Sequence, residues 1–192
     1  MSSPPDLSRL SAHLTANGID LYAVLDGARD EAIHALTKDV GLPWMYFEDG
    51  IVEASYQICA PRVIGLGRKP SAALERLLQA GWGRDWGIFV HATVDFGQLR
   101  RHLRTLSHAK LPSGRIAQFR FYDPRVLRAY LPTCFAAELA QVFGPITQFT
   151  MAGADPSSAW AYRLEDGALC VDELGLVQQD ATLAEAPERQ SV

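Results

Sequence analysis

Asp26, His91 and Asp123 are the residues whose types and positions could do chemistry. Each stands in or at the end of an apolar run that reads as a strand, where open α/β sheets often gather functional groups. Two carboxylates and an imidazole would suit the general acid–base work of a small hydrolase or transferase. Each also has a plainer role, and the plainer role is preferred. Asp26, followed by Gly27, can cap a helix starting near residue 28. His91 lies inside a strand and reads as a core or rim histidine. Asp123-Pro124 reads as an N-cap followed by N1, where a proline loses no hydrogen bond.

Other chemical signals are weak. Gly65-Leu66-Gly67 lacks the third glycine of a dinucleotide fingerprint, because position 70 is Pro70. The five histidines show no metal-ligand spacing, so no metal and no cofactor is expected. Ser113 belongs to a Pro-Ser-Gly turn, and Cys134 reads as a small core-facing residue of an amphipathic helix. Three cysteines without a Cys-x-x-Cys pair fit reduced thiols. A net charge of −4 argues against a nucleic-acid partner. The opening Met-Ser-Ser-Pro-Pro-Asp has no basic n-region, and no run approaches the roughly 20 apolar residues of a membrane span. The expectation is a cytoplasmic protein without a membrane partner.

The elements that would hold these residues follow from periodicity. Strands are expected at 20–25, 44–48, 62–66 and 87–92, and helices at 9–16, 28–40, 70–79 and 95–107. Asp49-Gly50 and Pro112-Ser113-Gly114 read as turns, while 51–60 has no clear pattern. Leu131-Pro132 should interrupt the helix that begins at Asp123, and Gly144-Pro145 should stop the next one. The class is α/β, a mixed sheet flanked by helices. Asp166-Gly167 marks a type I′ hairpin that pairs Leu164 with Leu169 and Tyr162 with Val171. Trp160, Tyr162, Leu164, Leu169 and Val171 then share one face, which should pack on the α/β body. The organisation expected is a flexible leader (1–8), an α/β domain (9–146), a small β-hairpin appendage (147–176) and a disordered tail (177–192).

Charge concentrates at the corner Phe119-Arg120-Phe121-Tyr122-Asp123-Pro124-Arg125-Val126. Alternation places Ala117, Phe119 and Phe121 on one strand face and Gln118, Arg120 and Tyr122 on the other. Arg120, Tyr122 and Arg125 are therefore candidate partner-binding residues, since guanidinium and phenol groups make good interface anchors. The alternative is an internal lock in which Arg120 or Arg125 pairs with Asp123 or Asp26. Arg100, Arg104 and His108 add a basic stripe on the 95–107 helix that could hold an acidic partner surface.

Trp86-Gly-Ile-Phe-Val, Leu99-Arg-Arg-His-Leu-Arg, Leu111-Pro-Ser-Gly, the corner itself and Phe143-Gly-Pro-Ile146 occur in an order that resembles the effector adaptor-chaperones of bacterial type VI secretion, the DUF4123 domain. Leu21–Ala28 and Pro61–Leu66 fit the opening strands of that family. The resemblance runs from about Leu21 to Ile146. It implies a protein without enzymatic activity that binds a toxic effector through the effector's N-terminal region and brings it to the spike protein of the needle. It also marks Asp26, Gly27, Asp123, Pro124, Pro132, Gly144 and Pro145 as structural signature positions. Larger members carry a helical second lobe; here 46 residues follow Ile146 and read as a hairpin and tail. His91-Ala92 departs from the small hydroxyl residues more typical there, so no role transfers to that site. An immunity or scaffold protein on the same fold is a further alternative.

Overall fold

The computed structural model describes residues 4–48, 53–110 and 113–177. The expected Asp49-Gly50 turn, Pro112, the start of the leader and the tail from 178 lie outside the described residues.

The sheet is organised around β1 (Asp20–Leu25), whose run of apolar residues is buried from Leu21 onward because both of its faces are covered. Leu21, Ala23 and Leu25 face one core, and Tyr22 and Val24 face the other. β1 pairs on one side with β3 (Arg62–Gly67), which carries β2 (Trp44–Tyr46) at the sheet edge. On its other side β1 pairs with β4 (Gly87–Ala92). Beyond β4 come β7 (Ile146–Ala152), β8 (Ser158–Glu165) and β9 (Ala168–Gly175). Every pairing in this seven-stranded sheet is antiparallel, a narrower outcome than a mixed sheet. A separate two-stranded ribbon joins β5 (His108–Lys110) to β6 (Ile116–Gln118).

Helices cover both faces. On one side lie α1 (Leu7–Thr15), α2 (Ala32–Asp39) and α4 (Ala72–Gly81), which insert Leu10, Leu14, Ile33, Leu74, Leu77 and Leu78. On the other, α5 (Phe96–Leu106), α6 (Pro124–Tyr130) and α7 (Ala136–Phe143) insert Leu99, Leu103, Leu127, Leu139, Val142 and Phe143. The short α3 (Ala54–Gln57) occupies the segment that had no clear pattern. Pro132 sits in a 3₁₀ turn, Leu131–Thr133, which separates α6 from α7. Gly144 ends α7 at φ +49, and a Cβ there would stand 2.4 Å from the His102 ring. Pro145 follows and leads into β7.

The hairpin has the expected register, Leu164 opposite Leu169 and Tyr162 opposite Val171, and its turn residues Asp166 and Gly167 both have positive φ. The C-terminal hairpin is also continuous with the body. β7 joins it to β4, so the C-terminal strands extend the main sheet, with Tyr162 buried and Trp160, Leu164 and Leu169 packed against the core. Val171, expected to pack, is 46% exposed.

Three further corrections concern the candidate residues. α2 starts at Ala32, not near 28: Asp30 accepts from the Ala32 N–H, and Glu31 occupies the cap position. The corner strand ends at Gln118, and a turn at 121–122 follows, closed by the Asp123 N–H on the Arg120 carbonyl at 3.0 Å. Strict alternation therefore fails, and the consecutive Phe121 and Tyr122 are both buried. Tyr122 stacks edge-on against Phe47 and Phe121 in the core instead of facing solvent. Among the described residues no helix is long and apolar enough to cross a membrane, and the three cysteines are free thiols.

Candidate functional site

β1 ends by delivering Asp26 to the corner that precedes α6. The backbone N–H of Asp26 bonds the Trp86 carbonyl at 2.8 Å, which fixes the strand end against the start of β4. One carboxylate oxygen accepts from the Ala28 N–H, a local turn rather than a helix cap. The other accepts from the Arg120 guanidinium, 94 positions away. Asp26 is buried, whereas the Arg120 side chain is 43% exposed.

The neighbouring carboxylate is closed in the same way. Asp123 caps α6 through the Arg125 N–H at 2.9 Å and also holds the Arg125 guanidinium at 2.6 and 3.0 Å. Burial opposes its charge, but the Arg125 bonds prevail and hold the carboxyl below the usual aspartate range. Arg125 also lies 3.5 Å from Asp85, which lies 3.5 Å from Arg29. The Asp26–Arg120 pair and the Asp123–Arg125–Asp85–Arg29 chain thus balance three aspartates with three arginines at one end of the sheet. Tyr122 sits beneath it, accepting from Gln118 at 3.2 Å, and burial pushes its phenol up to about 12.

Of the two readings of the arginines, the internal lock describes their contacts: Arg120 holds Asp26 and Arg125 holds Asp123. Replacing Arg120 with alanine is therefore expected to leave Asp26 buried without its cation. A buried pair broken on one side costs about 3–5 kcal/mol, and the exposure of Arg120 reduces this to about 2 kcal/mol. Denaturant melts of Asp26→Ala, Arg120→Ala and the double variant should show non-additivity of about 1 kcal/mol. Additive effects would mean that the pair contributes no coupling.

Gly27 has a packing reason of its own. A Cβ there would stand 2.5 Å from the Ala60 carbonyl, 2.8 Å from the Ile58 carbonyl and 2.6 Å from the Arg62 guanidinium. Arg62 is completely buried and donates to the carbonyls of Gln57, Ile58 and Ala60 at 2.8–3.2 Å, with Tyr46 stacked on its guanidinium. The sequence reading missed this residue, because an arginine in a strand carries no local mark of burial. Asp85 and Arg29, both in loops, were missed because their pairing is long-range, Asp85 meeting Arg29 and Arg125 across the fold.

Arg100 of the basic stripe is committed to the chain after β2, donating to the carbonyls of Tyr46 at 2.6 Å, Phe47 at 3.0 Å and Glu48. Arg104 is half-buried, and His108 is exposed in β5.

His91 pairs with Leu21 near the start of β1, while Asp26 lies just past its end. Five residues of strand, about 16 Å, separate them. His91 is fully buried, and its Nε2–H donates to the Leu14 carbonyl at 2.7 Å, tying α1 to the sheet. A carbonyl only accepts, so the proton is on Nε2, and Nδ1 is left buried without a partner. Asp26, His91 and Asp123 accordingly do not meet in one pocket. Among the described residues no group of three or more His, Cys, Asp or Glu is placed to hold a metal ion.

Burial pushes the His91 imidazole below the usual histidine value. Its contribution is thus full above about pH 6.5, where the unfolded histidine is also neutral. It is lost as pH falls, by up to about 1.4 kcal/mol per unit. His34, lowered first by burial, acts with the same sign. Urea melts at pH 7.5 and 5.5 should therefore show a smaller stability loss for His91→Gln, which keeps a donor towards Leu14, than for the wild type. Equal losses would acquit His91.

Outside the corner, α6 presents an exposed apolar trough lined by Phe119, Val126, Ala129, Tyr130 and Thr133, with Asp123 and Arg125 at one end. Phe119 meets Tyr130 edge-on at 4.8 Å along its floor.

The protein's relatives bear on this arrangement through one comparison. No curated protein and no solved structure matches the chain. The model of one family, described as a domain of unknown function (DUF4123), matches residues 21–141, from β1 into α7, and so includes the whole strand-end cluster and the trough. The chain belongs to the DUF4123 family.

Proposed function

We propose that the protein is a non-enzymatic adaptor-chaperone that binds a toxic effector of type VI secretion in the bacterial cytoplasm and helps load it onto the spike protein. The observation that carries this reading is the corner at 119–126. Its charged groups are held in ion pairs, Arg120 with Asp26 and Arg125 with Asp123, while the surface beside them is an exposed apolar trough with charged groups at its end. An apolar patch of this kind suits a protein partner better than a small substrate. The residues considered for an enzyme support that preference: His91 is enclosed, and Asp26 and Asp123 are each held by an arginine. No nucleic acid, membrane or cofactor is invoked.

The test is co-expression with the toxin encoded beside the gene, with and without the spike protein. The adaptor reading expects a stable adaptor–toxin complex that recruits the spike. Loss of the reading would follow from ATP hydrolysis by the purified protein that disappears in Asp26→Ala, or from a toxin that never co-purifies.

A further inference from the structure

Charge is distributed very unevenly along this chain. Residues 96–135 hold eight of its 18 arginines and lysines but only one of its 22 aspartates and glutamates, Asp123. That segment supplies α5, the β5–β6 ribbon, the corner and α6, of which α5, the corner and α6 pack on the same core as the trough's Phe119 and Tyr130. The net charge of −4 conceals a basic segment in an otherwise acidic protein, even with Asp26 and Asp85 set against its corner arginines.

The basic segment also carries an apolar surface. Val126, Ala129, Tyr130 and Thr133 fall at i, i+3, i+4 and i+7, so the trough follows one stripe of α6 and its 3₁₀ extension. Two further apolar side chains of the same segment are exposed, Ile116 in β6 at 74% and Phe135, two residues past Thr133, at 78%. Arg115 adjoins Ile116 and is exposed. Arg120 and Arg125 have side chains 43% and 51% exposed, although each also holds an aspartate.

We infer that this trough is the docking site for an amphipathic helix of the partner, with an apolar stripe flanked by glutamate or aspartate. The inference rests on the adaptor reading for the partner's identity and goes beyond it in placing the surface and the chemistry of the segment. A stripe with i, i+3, i+4, i+7 spacing accepts a second helix by ridge-and-groove packing. Charge complementarity selects an acidic helix over a basic one and speeds the encounter. Nucleic acid is disfavoured, because an apolar floor contributes little to phosphate binding.

The experiment uses the full chain and three labelled 18-residue helical peptides, carrying a leucine stripe with glutamate flanks, the same stripe with lysine flanks, and an alanine stripe with glutamate flanks. Fluorescence anisotropy should show the leucine–glutamate peptide binding at least about tenfold more tightly than the other two. Ala129→Glu, at an exposed position on the trough, should abolish the preference while melting like the wild type; Thr133→Glu is the second variant should the first misfold. No binding of the leucine–glutamate peptide, equal binding of all three, indifference to both variants, or equal competition by a duplex DNA would each overturn the inference. If the toxin co-purifies and its retention is unchanged by these variants, the docking site is wrong and the adaptor reading stands. Peptide binding without toxin co-purification separates the two in the opposite sense.

Discussion

A chain lacking residues 156–192 is expected to be insoluble or to melt without a cooperative transition. The deletion removes β8 and β9, and with them every partner on the outer side of β7. Phe149, Thr150, Met151 and Ala152 would lose their paired strand. Tyr162 and Leu176 are fully buried, and Trp160, Leu164 and Leu174 are partly so. Burial of each large side chain contributes about 1.5–3 kcal/mol, so the loss is comparable with the 5–15 kcal/mol that separates a folded domain from its unfolded state. Circular dichroism and thermal melting of the truncated protein check this. A sharp transition within a few degrees of the wild type would mean that the C-terminal strands are dispensable to the body after all.

Arg62→Leu is expected to be the most damaging single substitution among the polar residues. Leucine keeps much of the apolar stem but removes every donor, which strands the Ile58 and Ala60 carbonyls beneath Gly27. An unsatisfied buried acceptor costs about 1–3 kcal/mol, and the lost stacking on Tyr46 adds to it. A total of about 4 kcal/mol should lower Tm by roughly 10 °C in a chain of this size. Arg62→Lys should recover only part of this, because one ammonium cannot span the same set of carbonyls. Wild-type melting of Arg62→Leu would show that these carbonyls find other donors.

What the sequence revealed depended on the range of the interaction. The Asp166-Gly167 hairpin was legible to the residue, because its register is set by a two-residue turn. The Asp123-Pro124 cap was legible for the same reason. The attachment of that hairpin to β4 was not, because nothing within residues 146–175 names the strand that β7 will join. Asp26 was read as a helix cap since Asp-Gly before a helix is the local signature of one; its decisive partner, Arg120, lies 94 positions away. Tyr122 was placed on the solvent face by extending alternation through a segment that turns, and a turn lets Phe121 and Tyr122 both point inward. At the candidate site the charged residue types were visible, but which carboxylate each arginine holds was decided by the fold.

The position of β7 governs when this protein can be complete. β4 is an inner strand whose outer edge is satisfied only by β7, and α5, the β5–β6 ribbon, α6 and α7 are all synthesised between the two. While the ribosome is still making that stretch, β1, β3 and β4 can pair, but the outer edge of β4 offers open backbone donors and acceptors to any passing strand. The basic, apolar segment emerges during the same interval, before the sheet that supports it has closed. Long-range pairing of this kind folds slowly, so the nascent chain is itself a sticky species in its first seconds. A protein whose proposed task is to shield another chain therefore begins with an unguarded edge of its own.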